Sequence, residues 1–149
     1  MKSAPHSLLA GLGLITAATI ALSLAQNPDT AATSAPTPLV IEASEYPSLQ
    51  AALDALPASG GMVKLPAGTF EIDTPLIVST PETRIEGAGA ATHLRNLNES
   101  GEPALRLRPP TRDSDPKARL WRLQLGNFRI SGNEKSGDGI LAEGINEIF

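Results

Sequence analysis

The stretch "SGNEKSGDGILAEG", Ser131 to Gly144, carries three carboxylates, Glu134, Asp138 and Glu143, with Asn133 and Lys135 beside them. Carboxylates so close together suit acid–base work on a polar substrate. Inverting hydrolysis of a glycosidic bond uses two, one protonated and one ionised, on opposite sides of that bond. β-Elimination at a uronate uses a base, commonly beside carboxylates bridged by a cation. Neither arrangement is complete in the sequence. Gly137, Gly139 and Gly144 interrupt the alternation, so no two acids share a strand parity that puts both on one outer face. Asp138, between two glycines, reads as a turn residue bonded to its own backbone.

The segment "LRLRPPTRDSDPKARLWRLQL" sets Arg106, Arg108, Arg112, Lys117, Arg119 and Arg122 against Asp113 and Asp115. A basic strip beside Trp121 could hold an acidic polysaccharide, with guanidinium forks on carboxylates and the indole stacked on a sugar ring. Strand periodicity gives a plainer account. Arg106, Arg108 and Arg122 alternate with leucine as the solvent side of strands, and Trp121 shares parity with Leu123 and Leu125, which places it in the core. Asp138, Glu143 and Arg122 are carried forward as candidate substrate-binding residues. No catalytic residue can be assigned.

His93 stands between Thr92 and Leu94 in an alternating strand and is expected on its outer face; one histidine cannot make a metal site. "GAGAAT", Gly87 to Thr92, has the look of a phosphate loop, but such a loop needs a helix directly after it, and "THLRNLNESGEP" offers none. Its glycines are expected at a tight corner. Asn98-Glu99-Ser100 matches a glycosylation sequon.

The elements that must position these groups can be read from the rest of the 149 residues. No cysteine is present, which excludes disulfides and cysteine-ligated metals. A net charge of −4 offers no general attraction to nucleic acid. Aromatics are 3% of the chain, so a core must be built from Leu, Ile, Val and Ala. Lys2 and the uncharged run from Leu8 to Ala25 read as an export signal, with Ser23-Leu24-Ala25 pointing to cleavage between Ala25 and Gln26; the run also borders on the length of a spanning helix, so a retained anchor is the alternative. The protein is therefore expected to be secreted or periplasmic, with no membrane attachment after cleavage. "QNPDTAATSAPTP" over 26–38 reads as a flexible tether, and the folded part is expected over 39–149.

One helix is expected in "EYPSLQAALDALPASGG", about ten residues long. Leu49, Ala52, Leu53 and Leu56 share one face, Pro47 suits the first turn, and Pro57 and Gly60 end it. After it come short strands almost without pause: "MVKL", "TFEI", "PLIV", "TRIEG", "THLRN", "ALRLR", "LWRLQL", "NFRI", "GILAEG" and "INEIF". This is an all-β pattern. In "GGMVKLPAGTFEI", Pro66-Ala67-Gly68 is expected to bend the chain without reversing it, because strands this short make a poor hairpin. Each strand–corner–strand unit would then be one side of a coil, with the next coil stacked on it in parallel and the helix capping the open first coil.

The run "SLQAALDALPASGGMVKLPAGTFEIDTPLIV", followed by "RIEGAGAATHLRN", resembles the start of the pectate-lyase-like superfamily. The resemblance rests on Gly60, Gly61, Val63, Leu65, Pro66, Gly68, Phe70, Ile85, Gly87, Gly89, Thr92 and Leu94. It continues into "NFRISGN" and "GDGILAEGINEIF" and covers 48–149. It implies a right-handed parallel β-helix, a solenoid, with an N-terminal capping α-helix. It also implies an exported protein that degrades or modifies a polysaccharide as a lyase or glycoside hydrolase, of which these coils are the N-terminal part. A lyase parent would bring Ca2+ as cofactor. The alternative is a surface, adhesion or tailspike-like scaffold without chemistry, since the fold serves both. "INEIF" finishes apolar and strand-like, so that end is expected to need further coils or an oligomeric partner.

Overall fold

A computed structural model describes residues 39–149. The export signal, its cleavage point at Ala25 and Gln26, and the tether over 26–38 lie outside the described residues.

The described part is mostly β. Its strands, in chain order, are β1 (Val40–Glu42), β2 (Gly61–Lys64), β3 (Gly68–Ile72), β4 (Leu76–Val78), β5 (Thr83–Glu86), β6 (Thr92–Asn96), β7 (Leu105–Leu107), β8 (Gln124–Gly126), β9 (Arg129–Ser131) and β10 (Ile140–Ala142). They form three sheets in the orders β1-β2-β5-β8, β3-β6-β9 and β4-β7-β10, and every pairing is parallel. Strands on either side of a corner therefore never pair with each other. Pro66 and Ala67 hand the chain from the first sheet to the second, as the brevity of these strands predicts.

Register explains how such short strands hold. Val63 stands beside Ile85 and then Leu125, Phe70 beside Leu94 and then Ile130, and Leu76 beside Leu105 and then Ile140. Side chains two apart on one strand face inward together, so each column continues from strand to strand as an aliphatic row. Val63, Val78, Ile85, Leu94, Leu105, Leu107 and Leu123 are buried, each contributing about 1.5–3 kcal/mol. The outward positions carry the charges. Glu42 and Lys64 are register partners and lie 3.3 Å apart; Glu71 and Arg95 repeat the relation at 3.5 Å.

The helix α1 spans Leu49–Asp54, six residues rather than ten. Ser48 caps it, its hydroxyl accepting from Ala51 N at 3.1 Å, so Pro47 precedes the cap instead of occupying the first turn. Leu49, Ala52, Leu53 and Leu56 are all buried, and the helix packs against β4. So short a helix is marginal alone and is held by that apolar face.

Trp121 departs from its expected place in the core. It is 43% exposed, whereas Leu120 and Leu123 are buried. The cause is local: Arg122 has a positive φ of 50°, which breaks strict alternation and puts two consecutive residues outside between two inward leucines. For the same reason "LWRLQL" is a strand only at its end, and Leu120 and Leu123 make isolated parallel bridges to Ile145 and Ile148 of "INEIF".

Candidate functional site

The outward face of the sheet β4-β7-β10 brings together four of the charged residues that the sequence singles out, Arg106, Arg108, Glu143 and Asp113. Arg106 projects from β7, and Arg108 and Glu143 directly follow the register partners Leu107 and Ala142. Glu143 Oε2 lies 3.9 Å from both Arg106 Nε and Arg108 Nε, too far for a hydrogen bond. Arg106 Nε and Glu143 Oε2 are both closed to solvent and lack hydrogen-bond partners. Each arginine is engaged at its other end. Arg106 Nη2 bonds the Glu102 carboxylate, and Arg108 Nη2 donates to Asp113 Oδ1 at 2.5 Å. The result is an alternating row: Glu102, Arg106, Glu143, Arg108, Asp113. The Asp113 hydrogen bond, foremost, raises the Arg108 pKa above its ordinary value.

Immediately beyond Arg108 the chain forms the wall of a groove. Leu56, Pro81, Pro109, Pro110, Arg119 and Trp121 line a cavity of about 610 Å³. A half-exposed indole among prolines offers a flat apolar surface to a ring, and Arg119 adds a polar edge. The sequence pointed to the arginines but not to the groove, because the Pro109-Pro110 pair reads as punctuation and the periodicity put Trp121 inside. Arg122's left-handed backbone, which turns Trp121 outward, has no sequence signature.

The three candidate binding residues fall in different places. Glu143 lies between the two arginines. Arg122 stands on the side of the first sheet, paired with Glu82, whose carboxyl the Arg122 hydrogen bond holds below its ordinary pKa. Asp138 is exposed just before β10, its carbonyl accepting from Ala104 N at 3.1 Å; contrary to the turn expected there, its side chain makes no hydrogen bond to its own backbone among the described residues. No hydrogen bond or ion pair joins any two of them among the described residues.

His93 is outward on β6, as its parity predicts, and its Nε2 lies 2.7 Å from Ser131 Oγ on β9. Partial burial lowers its pKa, and the charges of Arg129 and Arg95 lower it further. "GAGAAT" is a corner: a three-residue 3₁₀ turn at Gly89–Ala91 leads directly into β6. A Cβ on Gly87 would come within 2.3 Å of the Asn127 carbonyl oxygen, so the close approach of two chain segments requires glycine there. Thr92 ties the corner down, its hydroxyl accepting from Ala88 N at 2.7 Å and donating to Pro66 O at 3.0 Å.

The sequon asparagine is structural. Asn98 donates Nδ2 to Asp73 O at 3.1 Å, and its Oδ1 accepts from Ser100 N and Glu102 N. Asn133 repeats the device, donating to Asn98 O at 3.2 Å while accepting from Lys135 N and Ser136 N. Successive turns are thereby bonded one to the next. Glu134 has no hydrogen bond or ion pair among the described residues and is exposed.

Calcium needs six to eight oxygen ligands, several of them carboxylates. Among the described residues no three His, Asp or Glu groups converge as a metal site requires. Glu102, Glu143 and Asp113 each face an arginine instead. The residues present do not fit the ion.

No family model matches the chain, and no curated protein matches it. Among solved structures, ORF18 of Geobacillus virus E2 is similar at 23% identity with a TM-score of 0.60. The match covers 69% of this chain and 24% of the viral chain, so this chain spans about a quarter of the length of the protein it matches. At that identity the likeness concerns the fold.

Proposed function

We propose that residues 39–149 are coils of a right-handed parallel β-helix of the pectate-lyase-like kind, and that the chain is the N-terminal, non-catalytic part of an exported protein that degrades or modifies a polysaccharide. The observation that carries the fold reading is a periodicity of three. β2, β5 and β8 share one sheet, β3, β6 and β9 the second, and β4, β7 and β10 the third. A chain that returns to each sheet every third strand, always in parallel, has the order of a β-helix. The likeness to a longer viral chain agrees with it.

The polysaccharide reading draws on the arginine strip of the third sheet and the adjoining Trp121 groove. Sugar rings stack on aromatic faces, and guanidinium forks take carboxylates. Within this chain the coils act as structure and as a binding surface. The acid–base groups of a lyase or hydrolase would lie on further coils, since Glu102, Glu143 and Asp113 are neutralised by arginine while Glu134 and Asp138 stand apart from them and from each other. A second reading, a surface or tailspike-like scaffold with no chemistry, draws support from that same neutralisation.

The test incubates the full-length protein with pectate, alginate and neutral glucans. New ultraviolet absorbance from unsaturated products would identify a lyase, and new reducing ends without it a hydrolase. Retention on a substrate column without either product would favour the scaffold.

A further inference from the structure

Resting on the polysaccharide reading above, we infer that Arg108 is a carboxylate-recognition residue whose guanidinium is occupied by Asp113 in the free protein, and that an acidic sugar binds by taking the place of the Asp113 carboxylate.

The two sides of this contact are unequal. The Arg108 side chain is largely sheltered, whereas that of Asp113 is 89% exposed. Asp113 uses one bond, Oδ1 to Arg108 Nη2, and its carboxylate has no other hydrogen bond among the described residues. Arg108 Nε makes no hydrogen bond among the described residues, and Glu143 Oε2 stands 3.9 Å from it. One arm of the fork is therefore taken and the other is uncommitted. A free carboxylate can engage both arms in the two-bond geometry that makes arginine–carboxylate pairs strong and directional. Asp113 does not do so from its loop.

The exchange costs little. The Asp113 end of the pair is bathed in solvent, where ion pairs are weak, and Glu143 still faces the sheltered guanidinium, so releasing Asp113 to water forfeits little. The loop that carries it keeps its own turns, with Asp115 N donating to Thr111 O at 2.8 Å and Ala118 N to Asp115 O at 3.0 Å. A side-chain rotation suffices. Charge is also conserved: with Asp113 turned away, Glu102 and Glu143 balance Arg106 and Arg108, and the incoming carboxylate restores the single negative charge that Asp113 supplied. Pro109 and Pro110, the residues after Arg108, line the Trp121 groove, so the segment that carries Arg108 leads directly into an apolar surface suited to a neighbouring ring.

The experiment titrates the full chain with a galacturonate tetramer and with a neutral glucan tetramer, by calorimetry. Asp113→Asn is expected to bind the acidic tetramer about two- to five-fold more tightly than the unaltered chain. The control Asp115→Asn, which removes the same charge from the same loop, leaves both affinities unchanged. Arg108→Gln abolishes the preference for the acidic tetramer. Equal acidic-tetramer affinity in Asp113→Asn and the unaltered chain, or an equal gain in Asp115→Asn, overturns the inference and leaves the polysaccharide reading standing. A second readout is the 15N resonance of Arg108 Nε during titration with monomeric galacturonate. If it shifts, more strongly in Asp113→Asn, while neither tetramer binds, the carboxylate site stands and the polysaccharide reading falls. If it is still and no tetramer binds, the inference is overturned.

Discussion

The side-chain amide of Gln50 pairs with the backbone of Ile77 as a neighbouring strand would. Ile77 N donates to Gln50 Oε1 at 2.8 Å, and Gln50 Nε2 donates to Ile77 O at 3.1 Å. β4 is the outer strand of its sheet, with β7 on its other side, so its free edge would otherwise present unpaired peptide groups. Gln50 sits on α1, and Asp54 one turn later holds the amide in place through Oδ1 at 2.8 Å. The helix thus closes this end of the structure twice over, with its apolar face on the core and one amide on the sheet edge.

Replacing Gln50 tests that closure. Gln50→Leu keeps the helix and most of the side-chain volume but removes both bonds, and is expected to destabilise the chain by about 1–3 kcal/mol. Gln50→Glu keeps an acceptor for Ile77 N and sets a second oxygen against Ile77 O, so it should be destabilising at neutral pH. Urea unfolding midpoints measure both. Midpoints unchanged in the two variants would mean that solvent satisfies the β4 edge equally well.

Asn98 is expected to resist modification despite its sequon. Its Oδ1 accepts from two backbone N–H groups and its Nδ2 donates to Asp73 O, so a glycan on Nδ2 would have to fit beside a nitrogen already held against that carbonyl. Expression in a glycosylating host should give folded protein that is unmodified at Asn98, as read by peptide mass spectrometry. Asn98→Asp, which turns the donor into an acceptor facing that carbonyl, should cost about 1–3 kcal/mol. A folded, fully glycosylated product would refute the role.

The Glu82–Arg122 pair makes a pH prediction. The Arg122 hydrogen bond lowers the Glu82 pKa in the folded state. A carboxylate depressed in this way contributes stability that is complete above its unfolded pKa and is lost as pH falls through the folded one. Carbon-detected NMR should therefore show Glu82 titrating below the ordinary glutamate range, and Arg122→Gln should move its midpoint upward. A midpoint indifferent to Arg122 would separate the two residues in solution.

Trp121 is the chain's single tryptophan, which makes its environment directly measurable. A half-exposed indole should emit at long wavelength, be quenched readily by acrylamide in the native state, and change little on unfolding. A bound sugar ring in the groove should shift the emission to the blue and protect it from quencher. Native emission already blue and resistant to quencher would return Trp121 to the interior.

Sequence alone determined much of the secondary structure and its burial. The alternation in "MVKL" and "TFEI" placed Val63, Leu65 and Ile72 inside, the helical spacing placed Leu49, Ala52, Leu53 and Leu56 on one buried face, and the corner glycines were recognised as corners. These are local properties. A two- or 3.6-residue period follows from backbone geometry and survives whatever the rest of the chain does. β1, Val40–Glu42, was not among the strands read from the sequence.

Tertiary structure decided the rest, because its causes lie far apart in sequence. Gln50 meets Ile77 and Asn98 meets Asp73 only once one segment lies beside another. Glu143 comes between Arg106 and Arg108 through the parallel register of β10 on β7, a pairing across 35 residues that no local pattern encodes. Trp121 was misplaced by periodicity because one residue, Arg122, adopts a left-handed conformation held by its partner Glu82 across the sheet. Periodicity states which side of a strand a residue takes; only packing states what meets it there.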